Sequence, residues 1–221
     1  TTEKNLMAVV RGVSSTLWVN TNDYQSLFAA KQKLIPRADK AEYEVFQPDG
    51  SSKVYYGFGE MIAEPFQGKL KSMKDRNGNV MSLGYYLNGL LDTVAWAAEG
   101  RTAVFDYDYY TEGVGKQGRL KSITQRIDGI DLQRVGYDYY QVGDHGEAGD
   151  LKEVVVQDWK VGSSPWVTIR RTIYRYYKVD EPGGFPHGLK MVIGPDGCRR
   201  LQAAGLDPFG ITDAVMLGYS D

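Results

Sequence analysis

Through most of the chain, apolar and polar residues alternate with a period of two, and glycine-bearing breaks interrupt the alternation at intervals. Phe105, Tyr107 and Tyr109 fall on one side of such a run, with Asp106 and Asp108 on the other. Val135, Tyr137 and Tyr139 repeat the arrangement opposite Arg134 and Asp138, and Met81, Leu83 and Tyr85 do so again. Successive side chains leave a strand on opposite faces, so the pattern predicts half-buried strands. The breaks suit hairpins: Asn77-Gly78, Asp128-Gly129 and Asp49-Gly50 tolerate the positive φ angles of two-residue turns, and Glu99-Gly100 is a weaker version. The expected fold is mainly β, antiparallel hairpins laid side by side in a curved sheet.

The hairpins recur as a sequence repeat. GKLKSMKDRNGNVMSLGYY (68–86), GLLDTVAWAAEGRTAVFDYDYY (89–110) and GRLKSITQRIDGIDLQRVGYDYY (118–140) share a Gly-x-Leu opening, a turn, and a strand ending in tyrosine. GDLKEVVVQ opens another unit at 149 that closes with RRTIYRYY (170–177), and HGLKMVIGPDG starts a fifth at 187. The alignment matches Leu70 with Tyr85, Leu91 with Tyr107, Leu120 with Tyr137 and Leu151 with Tyr174. Two readings of the tyrosines stand side by side. Their alternation makes them packing residues of a sheet face, while their clustering would also suit an exposed stacking platform. Leu120 and Ile123, like Leu70 and Met73, are an odd number apart, which calls for a bulge near the Gly or for cover on both faces.

Three segments follow from this pass: a lead-in at 1–42, the hairpin repeats at 43–193, and a helical insertion at 194–221 that leads into a further, missing repeat. In the lead-in, TNDYQSLFAAKQKLI (21–35) reads as a helix stopped by Pro36, with a strand as the alternative. PDGCRRLQAAG (195–205) reads as a short helix closed by Gly205, and a second runs from Thr212 or Asp213 to Tyr219.

Composition adds limits. The formal net charge of −2 argues against a nucleic-acid partner, which normally meets a basic excess. Tyrosine at 16 outnumbers phenylalanine at 7, and glycine reaches 26, a balance that favours short strands and tight turns. No apolar run is long enough for a membrane span and no signal peptide is visible. The chain opens on TTEKNL without an initiator Met, so it is expected to be processed or cut from something longer, with neighbours missing at both ends. Cys198 is the single cysteine, which forbids an internal disulfide.

Candidate chemistry is thin, and the expectation is of no catalytic residue, no cofactor and no metal site. GVGKQG (113–118) has the wrong spacing for a phosphate loop and no Ser or Thr after Lys116. His145 and His187 are the only histidines, too few for a triad or a His-rich zinc site. A Cys198–His187 dyad is conceivable, but a lone cysteine in a helical insertion reads as inert packing. Asp144, His145, Glu147 and Asp150 gather in GDHGEAGD (143–150) without the spacing of a calcium loop, so ion binding there stays open. Trp96, Trp159 and Trp166 lie near hairpin turns, where they either cap hairpins or stack sugars.

The repeat as a whole resembles the YD repeat of Rhs (rearrangement hotspot) proteins, whose relatives include shell proteins of bacterial toxin complexes and the animal teneurins. Tyr107-Asp108 and Tyr137-Asp138 carry the name dipeptide, while the units read at Tyr85 and Tyr174 lack the Asp. The resemblance covers residues 43–193. It implies hairpins joined edge to edge into a partial spiral shell that encapsulates or displays a toxin or effector domain of the same polypeptide, in a secreted or bacterial cell-surface protein. Its partners would be the remaining repeats and that effector domain. Asp207-Pro208 superficially matches the self-cleaving segment of such shells, but the surrounding glycines and asparagines are missing. The second function class is a surface adhesion module that binds carbohydrate through aromatic loop residues.

Overall fold

The computed structural model describes residues 6–11, 14–20, 24–26, 32–37, 39, 41–98, 100–141, 145–160 and 166–219, with side chains from residue 32 onward. The protein is mainly β, an open antiparallel sheet with two short helices near its C-terminus. The strands are β1 (Leu6–Arg11), β2 (Ser14–Asn20), β3 (Tyr24–Ser26), β4 (Lys33–Arg37), β5 (Glu42–Phe46), β6 (Ser52–Tyr56), β7 (Leu70–Lys74) and β8 (Val80–Tyr85). They continue as β9 (Leu91–Ala98), β10 (Arg101–Tyr109), β11 (Leu120–Ile127), β12 (Ile130–Tyr139), β13 (Leu151–Trp159), β14 (Trp166–Tyr176) and β15 (Leu189–Ile193). Sheet order follows chain order from β1 to β15. Helices α1 (Pro195–Ala203) and α2 (Asp213–Leu217) come last. None of the described helices is long and apolar enough to cross a membrane.

The turn chemistry works as the residues demand. Asp128 and Gly129 take φ of 51° and 81° between β11 and β12, a pair of left-handed residues matched to strand twist. Asp49 and Asp75 tie their own turns, each accepting backbone N–H groups on Oδ1, from Ser51 and from Asn77 and Asn79.

The odd spacing after Gly-x-Leu is a bulge in four units. Leu151 pairs with Tyr139 and Glu153 with Asp138, so Lys152 is the extra residue. The same step leaves out Lys71, Asp92 and Lys190 in three other units. Because Met73 pairs with Lys53 and Leu70 with Tyr55, the bulge returns Leu70 and Met73 to one face despite their odd separation.

The chain divides into two compact units, Thr1–Val104 and Phe105–Asp221. In the first, the described core is Leu34 against its cross-strand partner Val45, with Tyr43 and Tyr55 packed beside them. This corrects the helix expected over 21–35. Residues 24–26 and 33–35 lie in β3 and β4, while 21–23 and 27–31 lie outside the described residues. At 33–35 the burial that Leu34 gains by pairing with Val45 of β5 decides for a strand. Pro36 sits inside β4, opposite Tyr43 of β5.

In the second unit α1 and α2 cover the sheet at Ile173 and Ile193, and these bury Leu201 and Met216 with them. Away from the helices the faces separate by chemistry. Val135 and Tyr137 lie opposite Val156 and Val154, while Arg134, Gly136 and Asp138 lie opposite Gln157, Val155 and Glu153. Tyr137 is only half-buried, and the tyrosine that goes fully inside is Tyr140.

Candidate functional site

The repeated structural element is the junction where one hairpin ends and the next begins. Tyr110 donates its N–H to Arg119 and accepts from Gly118 N, at 3.0 and 2.9 Å. Tyr140 does the same with Asp150 and Gly149, Tyr86 with Leu90 and Gly89, Tyr56 with Lys69 and Gly68, and Tyr177 with Gly188 and His187. The loops enclosed run from residues 87–88 to residues 57–67, yet each closes on the same pair of bonds. The residue that turns the chain back has positive φ every time: Gly68, Gly89, Gly118, Gly149, and His187 at 65°. Histidine in that region is strained where glycine is free, and His187 is held there by a 2.8 Å contact from Nδ1 to Asp150 Oδ1 of the preceding junction.

These closures fix the repeat alignment, and they correct one unit of it. Tyr56, Tyr86, Tyr110, Tyr140 and Tyr177 are equivalent, so Leu83-Gly84-Tyr85 stands where Tyr107-Asp108-Tyr109 and Tyr137-Asp138-Tyr139 stand. Tyr85 is therefore not the counterpart of Tyr107, and Gly84 holds the place of the repeat Asp.

That place faces the bulge, and in two units an acid there meets the lysine that follows the Gly-x-Leu. Lys121 pairs with Asp108 at 3.0 Å, and Lys152 lies 3.7 Å from Asp138. Where the bulged residue is Asp92, the facing residue is the uncharged Gly84. Asp138 also receives Lys116 Nζ at 2.5 Å, from the 113–118 loop, and at 3.2 Å it shares the one Tyr110 hydroxyl proton with the Tyr137 carbonyl. Burial opposes the Asp138 charge, but the Lys116 hydrogen bond, the Tyr139 N–H and the two lysines outweigh it and hold the carboxyl below its ordinary value. Burial first, then the Asp138 charge, pushes the Tyr110 hydroxyl up to about 12.

The tyrosines at the closures also reach across strands. Tyr110 donates its hydroxyl to the carbonyl of Tyr137 at 3.0 Å, and Tyr140 donates to the carbonyl of Tyr174 at 2.9 Å. Each thus binds the start of the corresponding motif one hairpin further on, which ties successive units together.

At the last junction the Asp position is Arg175, 1% exposed. It donates to Asp213 Oδ1 at 2.5 Å and to the carbonyls of Pro208 and Ile211 at 2.7 and 2.8 Å. The bulged Lys190 joins Asp213 and Glu181. Burial again opposes the Asp213 charge, and Lys190 and Arg175 overcome it, so its carboxyl stays low. Sequence reasoning did not single out Arg175, and it met Lys116 only as the lysine of a rejected phosphate loop. The signal for Arg175 was its substitution into a Tyr-Asp slot; Lys116 has no local signal, because its partner lies two strands away.

The other sequence candidates go to separate places. His145 Nδ1 lies 3.6 Å from Asp213, and Cys198 Sγ lies 3.7 Å from the Ile193 carbonyl, whereas His187 contacts Asp150. Asp150 Oδ2 accepts from Glu147 N, and Glu147 Oε1 accepts from Val179 N. Asp144 lies outside the described residues, and no group of three or more His, Cys, Asp or Glu among the described residues converges as metal ligands would. Asp207-Pro208 sits in a turn whose Pro208 carbonyl is held by Arg175. Trp159 and Trp166 pack edge to face, 5.0 Å between centroids. The polar face of the second unit is dented by an open groove of about 440 Å³ over Ser122, Gly136 and Val155.

No protein-family model and no curated protein matches the chain. Among solved structures, the crystal structure of TcdB2-TccC3-Cdc42 is similar over 78% of this chain and 11% of that one, at 14% identity and a TM-score of 0.26. TcdB2-TccC3 without its hypervariable C-terminal region is similar over 77% and 10%, at 15% identity and a TM-score of 0.25. The chain therefore spans about a tenth of the length of either, and the likeness is too loose to bear on the function.

Proposed function

We propose that this chain is a structural segment of a YD-repeat shell of the Rhs type, which encapsulates or displays another domain of the same polypeptide. The observation that carries the reading is the junction itself. Five hairpin ends close in the same way, and two of them, Tyr110 and Tyr140, bond onto the following unit. A unit that contacts only its neighbours and repeats its own docking geometry is suited to building a wall of any length. In this reading the chain performs no chemistry, works in a secreted or bacterial cell-surface protein, and meets as partners the further repeats and a toxin or effector domain of its parent chain.

Limited proteolysis of the intact parent polypeptide tests it. The domain attached to the repeats is expected to resist a protease that digests the same domain expressed alone, and to lose that resistance when Tyr110 and Tyr140 are both changed to Phe. Equal digestion rates for the attached and isolated domain would refute encapsulation.

A further inference from the structure

Gly136 lies in the middle of β12, paired with Ser122 on one side and Val155 on the other. Glycine weakens a strand interior, and its presence there points to a bend, a close backbone or a close ligand. Gly84 is explained within the chain, since a Cβ there would stand 2.4 Å from Thr93 Oγ1. Gly136 is not: its backbone lies outside the left-handed region, and a Cβ would meet nothing nearer than the Val155 carbonyl oxygen at 3.9 Å. Its effect is to hollow the polar face and form the floor of the 440 Å³ groove.

The walls of that groove are charged and mostly paired. Lys121 faces Asp108, and Arg171 Nε lies 3.2 Å from Glu153 Oε2 in a geometry that leaves both buried atoms without a proper hydrogen bond. Arg134 differs. It donates to the neutral Gln157 Oε1 at 3.1 and 2.8 Å and stacks over Trp166 at 4.5 Å, and among the described residues no carboxylate lies within ion-pair reach of it. Interleaved fixed donors and acceptors suit a ligand whose own groups both donate and accept, as sugar hydroxyls do. An acidic peptide would gain at Arg134 but meet repulsion from Asp108, Asp138 and Glu153; an apolar ligand would strand the charged wall residues without water. A guanidinium lacking a carboxylate adds a preference for one on the ligand.

We propose that this groove binds a sugar bearing a carboxylate, with the ring seated over Gly136 and the acid group on Arg134. The inference stands apart from the shell reading and needs only the second unit's sheet. It also moves carbohydrate recognition from aromatic loop tips to the sheet face. Saturation-transfer NMR on the 221-residue protein tests it, with glucuronate, glucose and a short Asp-Gly peptide as separate probes. Glucuronate should receive transfer and bind about tenfold more tightly than glucose, the worth of one charge-assisted contact. Gly136→Leu should fill the groove and abolish transfer to both sugars. Arg134→Gln should lower glucuronate to the level of glucose and leave glucose unchanged. If Gly136→Leu fails to fold, Gly136→Ala, whose methyl has room, should still weaken both sugars. The proposal is overturned by absence of transfer to either sugar in large excess, by transfer that survives the Gly136 variants, by equal binding of the two sugars, or by tighter binding of the peptide.

Discussion

At the same step of the repeat, one hairpin places Asp138 and the next places Arg175. Asp138 finds its cations close by, in the bulged Lys152 and in Lys116 of the preceding loop, and it stays partly in contact with water. Arg175 has the opposite sign and cannot face a bulged Lys190 unaided, so an acid must come from elsewhere. It comes from α2, as Asp213, which reaches both cations at once. The same register position is thus neutralised locally in one unit and by a distant element in the other. The difference teaches that a lysine at this step is balanced by an acid whose source the repeat does not dictate, and that a change at one position can bind an insertion onto the sheet.

The largest expected effect separates these two solutions. Arg175→Met should cost about 3 kcal/mol, because it leaves the carbonyls of Pro208 and Ile211 without their donor and Asp213 with Lys190 as its remaining close cation. A urea melt would read it as a lower midpoint at similar slope. A shift as small as that of a surface substitution would show that the helices are held by the Ile173, Ile193, Leu201 and Met216 cluster alone. Tyr137→Ser comes next, at about 2 kcal/mol, less than a fully enclosed ring would lose since Tyr137 is half-buried. A loss of less than about 0.5 kcal/mol would instead mark the ring as a surface group.

Tyr140→Phe removes one buried hydrogen bond to the Tyr174 carbonyl and should cost about 1 kcal/mol by the same melt. At the other closure, pH supplies the probe. The Tyr110 hydroxyl is raised to about 12, so the stability it contributes is present below its unfolded value near 10 and is lost as pH climbs through about 12. Tyr110→Phe should flatten the alkaline limb of stability, and an unaltered limb would deny the hydroxyl a role. The smallest effect belongs to Asp138→Asn. Its carboxyl is held low when folded, so its contribution exists above the unfolded value of about 3.9 and fades as pH falls through the folded value. The variant should lose a little stability near neutral pH and show a shallower acid limb than the parent.

Much of the fold was legible because its signals are local. Period-two alternation placed the hairpins, the Asn-Gly and Asp-Gly pairs placed turns, and Pro195 with Gly205 framed α1. The misread elements depend on distant partners. The run before Pro36 has helical propensity, but Val45 on another strand decides for β4. The unit ending at Tyr86 is shifted by two residues when spacing is counted from the leucine, because Leu83 and Gly84 stand where the other units carry Tyr and Asp and nothing local marks where the junction closes. Lys116 and Arg175 were invisible as partners since nothing in their neighbourhood names Asp138 or Asp213.

The closure of each junction on one tyrosine has a consequence for engineering. The two backbone bonds seal the sheet before the loop departs, so whatever follows is a side branch hung on a finished clasp. Residues 87–88 and residues 57–67 leave through equivalent clasps, and the intervening length does not alter how the next strand lands. A foreign peptide grafted between Gly113 and Gln117 would have to respect the Lys116 tether to Asp138, the Arg119 bond to the Gly115 carbonyl and the close approach of Gly115 to Gly149, and with those kept the scaffold would carry the passenger without feeling its size.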